Sequence, residues 1–310
     1  MGMVRTALAS RPVAALTSPH HVDHYLERLH PLATATSVRA RVVEVRRETG
    51  DASTVVLRAN GAWRGFVPGQ HVQFGVEVDG TRKVRVFSVS SSAAPRRGRA
   101  GRVFSVSVKA HPDGYVSQFL HRELTPGTVV FLSQAEGDFV LPEQVRDHVL
   151  LASGGSGITP VMSMVRTLRD RGHAGRVTFL HYARSRADEM FSGELDELAA
   201  GGVEVVRVYT REDVPGADLT GRFTRAHLDH LGIDPSSTLT YVCGPAGLIA
   251  TVRDTYDDLG AADQLHTEYF KVPTVDPELL AQNAAEATGT GTELPSGASP
   301  RPARTRTPSP

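Results

Sequence analysis

One stretch of the chain, HVLLASGGSGITPVMSMV at residues 148–165, restricts the possible folds more than any other. It begins with a continuous apolar run, as expected for a buried parallel strand, and ends with apolar residues at helical spacing. The glycines Gly154, Gly155 and Gly157 separate the two parts. A strand that turns into a helix through glycines is typical of a doubly wound α/β sheet. Such a turn lets backbone N–H groups approach a pyrophosphate.

This turn differs from two common phosphate-binding motifs. No Gly-Lys-Ser/Thr follows it, which excludes a P-loop, and Pro160 takes the place of the third glycine of a GxGxxG fingerprint. Thr159 followed by Pro160 predicts the start of the helix, with Thr159 as the N-cap. The alternative is an ordinary glycine-rich turn without a ligand.

The wider pattern predicts two domains. Residues 37–144 contain six β-rich runs separated by Gly, Pro and Asp turns, with one short helix near VSQFLHREL. They predict an antiparallel β-barrel. Strand and helix patterns alternate over residues 145–271, which predicts a doubly wound parallel sheet. Residues 1–36 form an N-terminal extension with a short helix. Residues 272–310 are rich in Ala, Thr, Pro, Ser and Gly and are expected to be disordered.

Composition excludes several functional classes. The 310 residues carry 34 Lys and Arg against 34 Asp and Glu, and a net charge of zero argues against a nucleic-acid binder. No apolar run approaches the roughly 18 residues of a membrane span, and no signal-peptide pattern opens the chain, so we expect a cytoplasmic protein. The single cysteine, Cys243, excludes an internal disulfide and any site that needs four thiolates from this chain. No metal site is predicted, because His20, His21 and His24 have no further ligand nearby.

The hexapeptide RVFSVS occurs twice, at residues 85–90 and 102–107. Either both copies hold a ligand, or one copy does and the other is an ordinary strand. In the first copy Arg85 and Phe87 share one face of the strand, so a cation and an aromatic ring can contact different parts of one extended ligand. The hydroxyl of Ser88 lies next to them.

Another glycine turn follows a later strand in YVCGPAGL, at residues 241–248. Cys243 ends that strand, and ligands of α/β sheets bind at the carboxyl ends of the strands. Cys243 therefore either lines a cleft or is a buried structural cysteine. The residues alone leave both readings open.

Seven segments in order resemble the ferredoxin–NADP reductase superfamily over roughly residues 38–271. They are PGQHV, RVFS, VKAHPDGYVSQFL, GDFVL, GGSGITP, YVCGPAGL and EYF. Within that superfamily the chain is most similar to the reductase components of oxygenases and desaturases. The resemblance implies an FAD-binding barrel, an NAD(P)-binding α/β domain, and hydride transfer from NADPH to FAD.

The resemblance also implies single-electron delivery to an acceptor such as ferredoxin, a desaturase or an oxygenase component. The acceptor is expected to be a separate molecule, because a tail without cysteine follows the motifs. An NAD(P)H-dependent flavin or quinone reductase without a protein partner is the alternative. A non-enzymatic flavin-binding role is a third reading.

The resemblance assigns the first hexapeptide to FAD. Arg85 would pair with the pyrophosphate, Phe87 would lie against the flavin ring, where most members have Tyr, and Ser88 would bond near flavin N5. Arg102 and the rest of the second copy are then ordinary strand residues. The other expected FAD contacts are Val86, Val108, Lys109, Gly114, Tyr115, Val116 and Ser117.

The expected catalytic residues are Ser88, Cys243 and Glu268, although Glu268 is also compatible with a surface position. The expected nicotinamide-nucleotide contacts are Gly155, Gly157, Thr159, Arg184, Thr210, Arg211, Cys243, Gly244 and Pro245. Arg184 follows the second predicted strand of the α/β domain, and Thr210 and Arg211 follow the third. An NAD-specific site usually has an acidic residue at the end of the second strand, whereas these residues favour the 2′-phosphate of NADPH. Asp188 and Glu189 nearby keep NADH possible. The basic loop with Arg96, Arg97 and Arg99 is either a solvated turn or a contact for a phosphate or an acidic partner.

Overall fold

The computed structural model describes residues 22–78, 81–93, 100–215, 217 and 219–270. The predicted tail, His20, His21 and the basic loop with Arg96, Arg97 and Arg99 lie outside the described residues, as does the side chain of His24. The described residues belong to one compact unit and form two sheets.

The first sheet has six antiparallel strands, in the order β4-β3-β6-β1-β2-β5. Helix α1 precedes the sheet, and helix α2 lies between β5 and β6. The elements are α1 (Val22–Leu29), β1 (Val38–Thr49), β2 (Ala52–Ala59), β3 (His71–Val78), β4 (Thr81–Ser88), β5 (Val103–Lys109), α2 (Tyr115–Arg122) and β6 (Val129–Leu132).

The two copies of the hexapeptide pair with each other and close this sheet. Val89 forms an antiparallel bridge with Val106, so the copies are aligned at their fifth residues. The N–H of Ser90 donates to the carbonyl of Ser105 at 2.8 Å. Buried hydroxyls add to the closure, since Ser90 Oγ lies 3.0 Å from Ser105 Oγ and 2.8 Å from Ser107 Oγ. The predicted antiparallel barrel is confirmed.

The core of the barrel is formed by every second residue of its strands, because successive side chains of a strand point to opposite faces. Alternate residues of the strands are fully buried, as Val55 and Leu57 on β2 and Val72 and Phe74 on β3 show. Burial of each such side chain stabilises the fold by about 1.5–3 kcal/mol. Phe104 of the second hexapeptide is also in this core, stacked on Trp63 at 4.5 Å between ring centroids.

The second sheet has five parallel strands in the order β11-β10-β7-β8-β9, which confirms the predicted α/β class. The order changes direction between β7 and β10, the place where ligands bind in such sheets. The elements are β7 (His148–Gly154), α3 (Ile158–Asp170), β8 (Arg176–Ala183), α4 (Ser192–Ala200), β9 (Glu204–Tyr209), α5 (Arg225–His230), β10 (Leu239–Cys243), α6 (Ala246–Asp258) and β11 (Leu265–Glu268).

The start of α3 differs from the prediction. The helix begins at Ile158, directly after a 3₁₀ turn at Gly155–Gly157, and its N-cap is Gly157. Thr159 is the second helical residue, buried, with its hydroxyl donating to the carbonyl of Ser156 at 3.1 Å. The prediction of Thr159 as the N-cap was wrong because the turn before it already has near-helical geometry. Pro160 is accommodated because an N–H in the first turn has no intrahelical acceptor.

Helix α3 holds the barrel against the second sheet. Ser163 Oγ donates to the carbonyl of Ser91 at 2.7 Å, and the N–H of Ala93 donates to Thr167 Oγ1 at 2.9 Å. Arg166 donates to the carbonyl of Ser90. The chain just after β4 is therefore fixed to the first helix of the α/β half. In the part of the chain with described structure, no helix has the length and apolar character needed to cross a membrane.

Candidate functional site

The two glycine turns predicted to bind the nicotinamide nucleotide touch each other. A Cβ atom at Gly157 would lie 2.2 Å from the carbonyl oxygen of Cys243, and one at Gly154 would lie 2.8 Å from Pro245 Cδ. Only glycine permits this approach at either position. Gly155 has a φ of +53° and faces open space. The structure thus brings the ends of β7 and β10 together at the edge where the strand order reverses.

Cys243 and Glu268 lie side by side at this edge. They are register partners on the parallel strands β10 and β11, so their side chains lie on the same face of the sheet. Cys243 is fully buried. Burial raises the pKa of its thiol well above the usual value, and the nearby Glu268 carboxylate raises it further. The thiol is therefore neutral at physiological pH and is suited to packing rather than to nucleophilic attack.

Ser88 of the barrel lies opposite His71, whose Nδ1 is 3.8 Å from Glu268 Oε1. It is the last residue of β4 and is 2 % exposed, and its Oγ has no hydrogen-bond partner among the described residues. The Oε2 atom of Glu268 is likewise buried and without a partner in that part of the chain. Burial raises the pKa of Glu268 to about 7. Buried polar atoms are nearly always bonded in native proteins, so two unpaired ones in the same region indicate a ligand site.

The mouth of the barrel has a cationic and apolar surface. Arg85 is exposed, donates to the carbonyl of Val84 at 2.7 Å, and pairs with no carboxylate among the described residues. Phe87 is half-buried and packs edge-on against Phe74, with 6.0 Å between ring centroids. Val86 is 52 % exposed. These residues match what an extended ligand with an aromatic part and a charged part requires.

The start of α2 forms a tight turn. A Cβ atom at Gly114 would lie 2.4 Å from Ser117 Oγ, so glycine leaves room for the serine hydroxyl here. The hydroxyl of Ser117 donates to the carbonyl of Gly114 at 2.8 Å and accepts from the N–H of His111 at 3.1 Å. It is thus already used within the turn. The neighbouring Tyr115 side chain is 52 % exposed, whereas Val116 is buried.

These features fit FAD. The Ser88 hydroxyl, which has no hydrogen-bond partner among the described residues, can offer a hydrogen bond. The exposed Arg85 guanidinium, which makes no ion pair among them, can meet a phosphate. The exposed side chains of Val86 and Tyr115 add apolar surface. Val108 is buried in the barrel core, so it can offer only its backbone. The same holds for Val116 at the start of α2.

The predicted 2′-phosphate residues adjoin one another at the ends of β8 and β9. The N–H of Thr210 donates to the carbonyl of Ala183, and that of Arg211 to the carbonyl of Arg184, each at 2.9 Å. The two arginines differ in their partners. Arg184 pairs with Asp188 at 2.5 Å, whereas the exposed Arg211 makes no ion pair within the described ranges.

An ionic network that the sequence analysis missed joins the two halves. Lys109 Nζ at the end of β5 lies 2.8 Å from Asp51 of the barrel and 3.6 Å from Asp188 of the α/β half. Arg184 lies 4.0 Å from Asp51. Asp51 and Asp188 lie 58 and 79 residues from Lys109 along the chain. No local sequence pattern indicates ion pairs over such separations, so they become visible only in the folded chain.

His71 is a second residue that the sequence analysis did not single out. It is the register partner of Ser88, and its Nδ1 lies 3.8 Å from Glu268 Oε1. The available signal was its position in PGQHV, as the first residue of the strand that precedes the first hexapeptide.

Comparisons with known proteins agree with this architecture. Residues 39–140 match the family described as "Oxidoreductase FAD-binding domain", and residues 151–254 match "Oxidoreductase NAD-binding domain". An NADPH oxidoreductase of Mycobacterium tuberculosis is 38% identical, over 87% of this chain and 70% of that protein. A glycine betaine monooxygenase reductase subunit of Chromohalobacter salexigens is 30% identical, over 83% and 72%.

A solved structure shows the same fold. The FAD/NAD-binding domain of a nitric oxide dioxygenase from Vibrio cholerae superposes with a TM-score of 0.67 at 28% identity, over 76% of this chain and 99% of that one. The chain belongs to the ferredoxin–NADP reductase superfamily. It is an FAD-dependent NAD(P)H oxidoreductase of that type, and its cofactors are FAD and NAD(P)H.

Proposed function

We propose that the chain takes hydride from NADPH onto FAD and delivers the electrons singly to a separate acceptor protein, a ferredoxin or an oxygenase or desaturase component. The observation that supports the proposal is that Cys243 and Glu268 are register partners at the edge where the glycine turns meet. Ser88 of the barrel lies opposite His71, whose Nδ1 is 3.8 Å from Glu268 Oε1. The resemblance to a monooxygenase reductase subunit supports the protein acceptor.

The residues of the chain bind and orient the reactants. Arg85 would neutralise the FAD pyrophosphate, Phe87 would pack against the ring system, and Ser88 would direct its unpaired hydroxyl toward the reacting end. Cys243 would line the nicotinamide pocket as a small neutral side chain. When bound, FAD supplies the conversion of a two-electron hydride donor into a source of single electrons.

NADPH is preferred over NADH in this proposal because of Arg211. Its guanidinium is exposed and has no carboxylate partner in the described chain, whereas Arg184 is engaged by Asp188. A planar guanidinium without a carboxylate partner is well suited to a phosphate group. Asp188, because it is paired with both Arg184 and Lys109, is not available for a ribose diol.

Anaerobic stopped-flow mixing of the purified yellow protein with NADPH, and separately with NADH, tests the hydride step. We expect rapid bleaching with NADPH and slower bleaching with NADH at equal concentration. No bleaching by either nucleotide would exclude the reaction. Steady-state assays with a ferredoxin, free FMN and a quinone then test the acceptor. Turnover with FMN or quinone but not with any iron–sulfur protein would favour a reductase without a protein partner.

A further inference from the structure

Four charged side chains form a closed group at the contact between the barrel and the α/β half. Lys109 Nζ lies 2.8 Å from Asp51 Oδ1 and 3.6 Å from Asp188 Oδ1. The guanidinium of Arg184 lies 2.5 Å from Asp188 Oδ1 and 4.0 Å from Asp51 Oδ2. Two cations thus alternate with two carboxylates, and their charges cancel. We call these four residues the charge ring.

The barrel fixes its two members of the charge ring through the backbone. Asp51 lies in the turn between β1 and β2, and Lys109 ends β5, where it is the register partner of Ala52. The N–H of Ala110 donates to the carbonyl of Asp51 at 2.6 Å. Thr49 Oγ1 also donates to Asp51 Oδ1, at 2.8 Å. The FAD-binding half therefore determines where the Lys109 ammonium meets the α/β half.

Both oxygens of the Asp188 carboxylate are engaged. Oδ1 meets Arg184 and Lys109, and Oδ2 accepts from Ser185 Oγ at 2.9 Å. Burial acts to raise the pKa of Asp188, but the hydrogen bonds and charges of these partners lower it overall. The carboxylate is therefore ionised at neutral pH, and its charge is balanced by one cation from each half.

The charge ring adjoins the expected 2′-phosphate site. The N–H of Arg211 donates to the carbonyl of Arg184 at 2.9 Å, so these two arginines are neighbours at the ends of β8 and β9. An exposed phosphate-binding cation responds to the net charge of the groups around it, because Coulomb interactions extend over several ångströms. The balance of the charge ring therefore affects how strongly a 2′-phosphate is held.

Two other carboxylates near the end of β9 have partners within the α/β half. Glu189 is buried and lies 2.9 Å from Arg207 Nε. Glu212 Oε2 accepts from the N–H of Arg186 at 2.7 Å, and Oε1 lies 3.6 Å from the guanidinium of that arginine. Asp188 differs from both, because its pairing depends on a cation of the barrel.

We propose that Lys109 and Asp51, two residues of the FAD-binding half, set how strongly the protein prefers NADPH over NADH. Lys109 balances the charge of Asp188, which would otherwise repel a 2′-phosphate, and Asp51 limits the attraction by the two cations. Both act through Asp188 and Arg184 and are positioning residues. The inference rests on the proposed function in one point, the binding of the 2′-phosphate beside Arg211.

Titration of the oxidised, flavin-bound full chain with NADP⁺ and with NAD⁺, followed by the flavin difference spectrum, tests the proposal. Lys109→Met leaves one cation with two carboxylates, and we expect about fivefold weaker binding of NADP⁺ at low ionic strength. Asp51→Asn leaves two cations with one carboxylate and should tighten NADP⁺ binding by about the same factor. The double variant is neutral again and should bind NADP⁺ as the wild type does. NAD⁺ has no 2′-phosphate, so its affinity should change by less than about twofold in all three variants.

Arg58→Met is the matched control. Arg58 is an exposed cation of the barrel near the end of β2 that is remote from Asp51. The substitution removes the same charge from the same half, and the affinity for NADP⁺ should stay within about twofold of the wild-type value, because exposed charges far apart are screened.

The opposite signs of the two single variants separate a charge effect from a structural one. Equal weakening of NADP⁺ and NAD⁺ in Lys109→Met, or weaker NADP⁺ binding in Asp51→Asn, would overturn the proposal. If Lys109→Met does not retain flavin, Asp51→Asn decides alone, since damage to the fold would not tighten binding. A wild-type preference for NADP⁺ that every variant keeps would refute this inference alone. Equal affinity of the wild type for NADP⁺ and NAD⁺ would refute the proposed NADPH preference and this inference with it.

Discussion

Arg85 is exposed at the mouth of the barrel and makes no ion pair in the described chain. We expect Arg85→Ala to weaken FAD binding about 10- to 100-fold, because a charge-assisted hydrogen bond contributes about 1.5–3 kcal/mol. The flavin-to-protein ratio after gel filtration and the Kd for FAD measure this effect.

Arg102 provides the control from the second hexapeptide. It ends a 3₁₀ turn before β5, and the residues after it face the barrel core or close the sheet. Arg102→Ala should keep the wild-type flavin content. A colourless Arg102→Ala protein beside a yellow Arg85→Ala protein would reverse the assignment of the two copies.

Arg184 forms an ion pair with Asp188, whereas Arg211 forms none among the described residues. We expect Arg211→Ala to raise the KM for NADPH about tenfold or more and to leave that for NADH nearly unchanged, since the 2′-phosphate is the only difference between the two nucleotides. Arg184→Ala should have a smaller effect on NADPH, because Asp188 already neutralises that guanidinium. Equal losses for NADPH and NADH in Arg211→Ala would contradict this placement.

At the scale of elements, the turns after β7 and β10 are in close contact, and both belong to the proposed nucleotide site. Gly157 has an ordinary helical φ of −62°, so other residues could adopt its backbone conformation. Glycine is required because a Cβ atom would collide with the carbonyl of Cys243. Gly157→Ala should cost about 1–3 kcal/mol by overpacking and should slow reduction by NADPH while FAD stays bound. Urea unfolding and stopped-flow reduction report the two effects.

Gly247 in α6 is the matched control for that substitution. A Cβ atom there meets nothing within 4 Å. Gly247→Ala should be neutral or stabilise the protein by about 0.4–1 kcal/mol, since alanine narrows the unfolded ensemble at a helical site. A comparable loss in both variants would show that close approach to Cys243 is not the cause.

At the scale of the whole molecule, Arg166 connects the barrel to two helices of the α/β half. It donates to the carbonyl of Ser90, donates to Glu194 Oε1 at 2.7 Å, and lies 4.9 Å over the ring of Phe191. Arg166→Met should lower the free energy of unfolding by about 2–3 kcal/mol, because it leaves Glu194 partly buried without its partner. Arg169→Ala on the same helix should change it by less than about 0.5 kcal/mol, as an exposed arginine.

The same pair predicts a pH dependence. Burial acts to raise the pKa of Glu194, but the hydrogen bond and charge of Arg166 lower it overall. A carboxyl with a lowered folded-state pKa stabilises the protein above its unfolded value of about 4.3, and this contribution is lost as the pH falls through the folded value. The difference in unfolding free energy between wild type and Arg166→Met should therefore be constant near pH 7 and shrink below about pH 4.

Much of this protein follows from the sequence alone. Alternating apolar residues determined the six barrel strands, and the change of period after residue 145 determined the parallel sheet, because side-chain burial repeats every two residues in strands and every 3.6 in helices. The glycine turns and Cys243 predicted the sheet edge where the strand order reverses, because they follow the ends of neighbouring parallel strands. These signals lie within continuous stretches of the sequence, so they can be recognised without the structure.

Only the tertiary structure decided which distant groups meet. The pairing of the two hexapeptides around Val89 and Val106, the ion pairs of Lys109 and the approach of His71 to Glu268 join residues far apart in the chain. No residue pattern encodes such contacts locally, since they depend on how two independently patterned sheets pack. The start of α3 at Ile158 belongs here too, because the 3₁₀ turn at Gly155–Gly157, and not the capping preference of Thr159, leads directly into the helix.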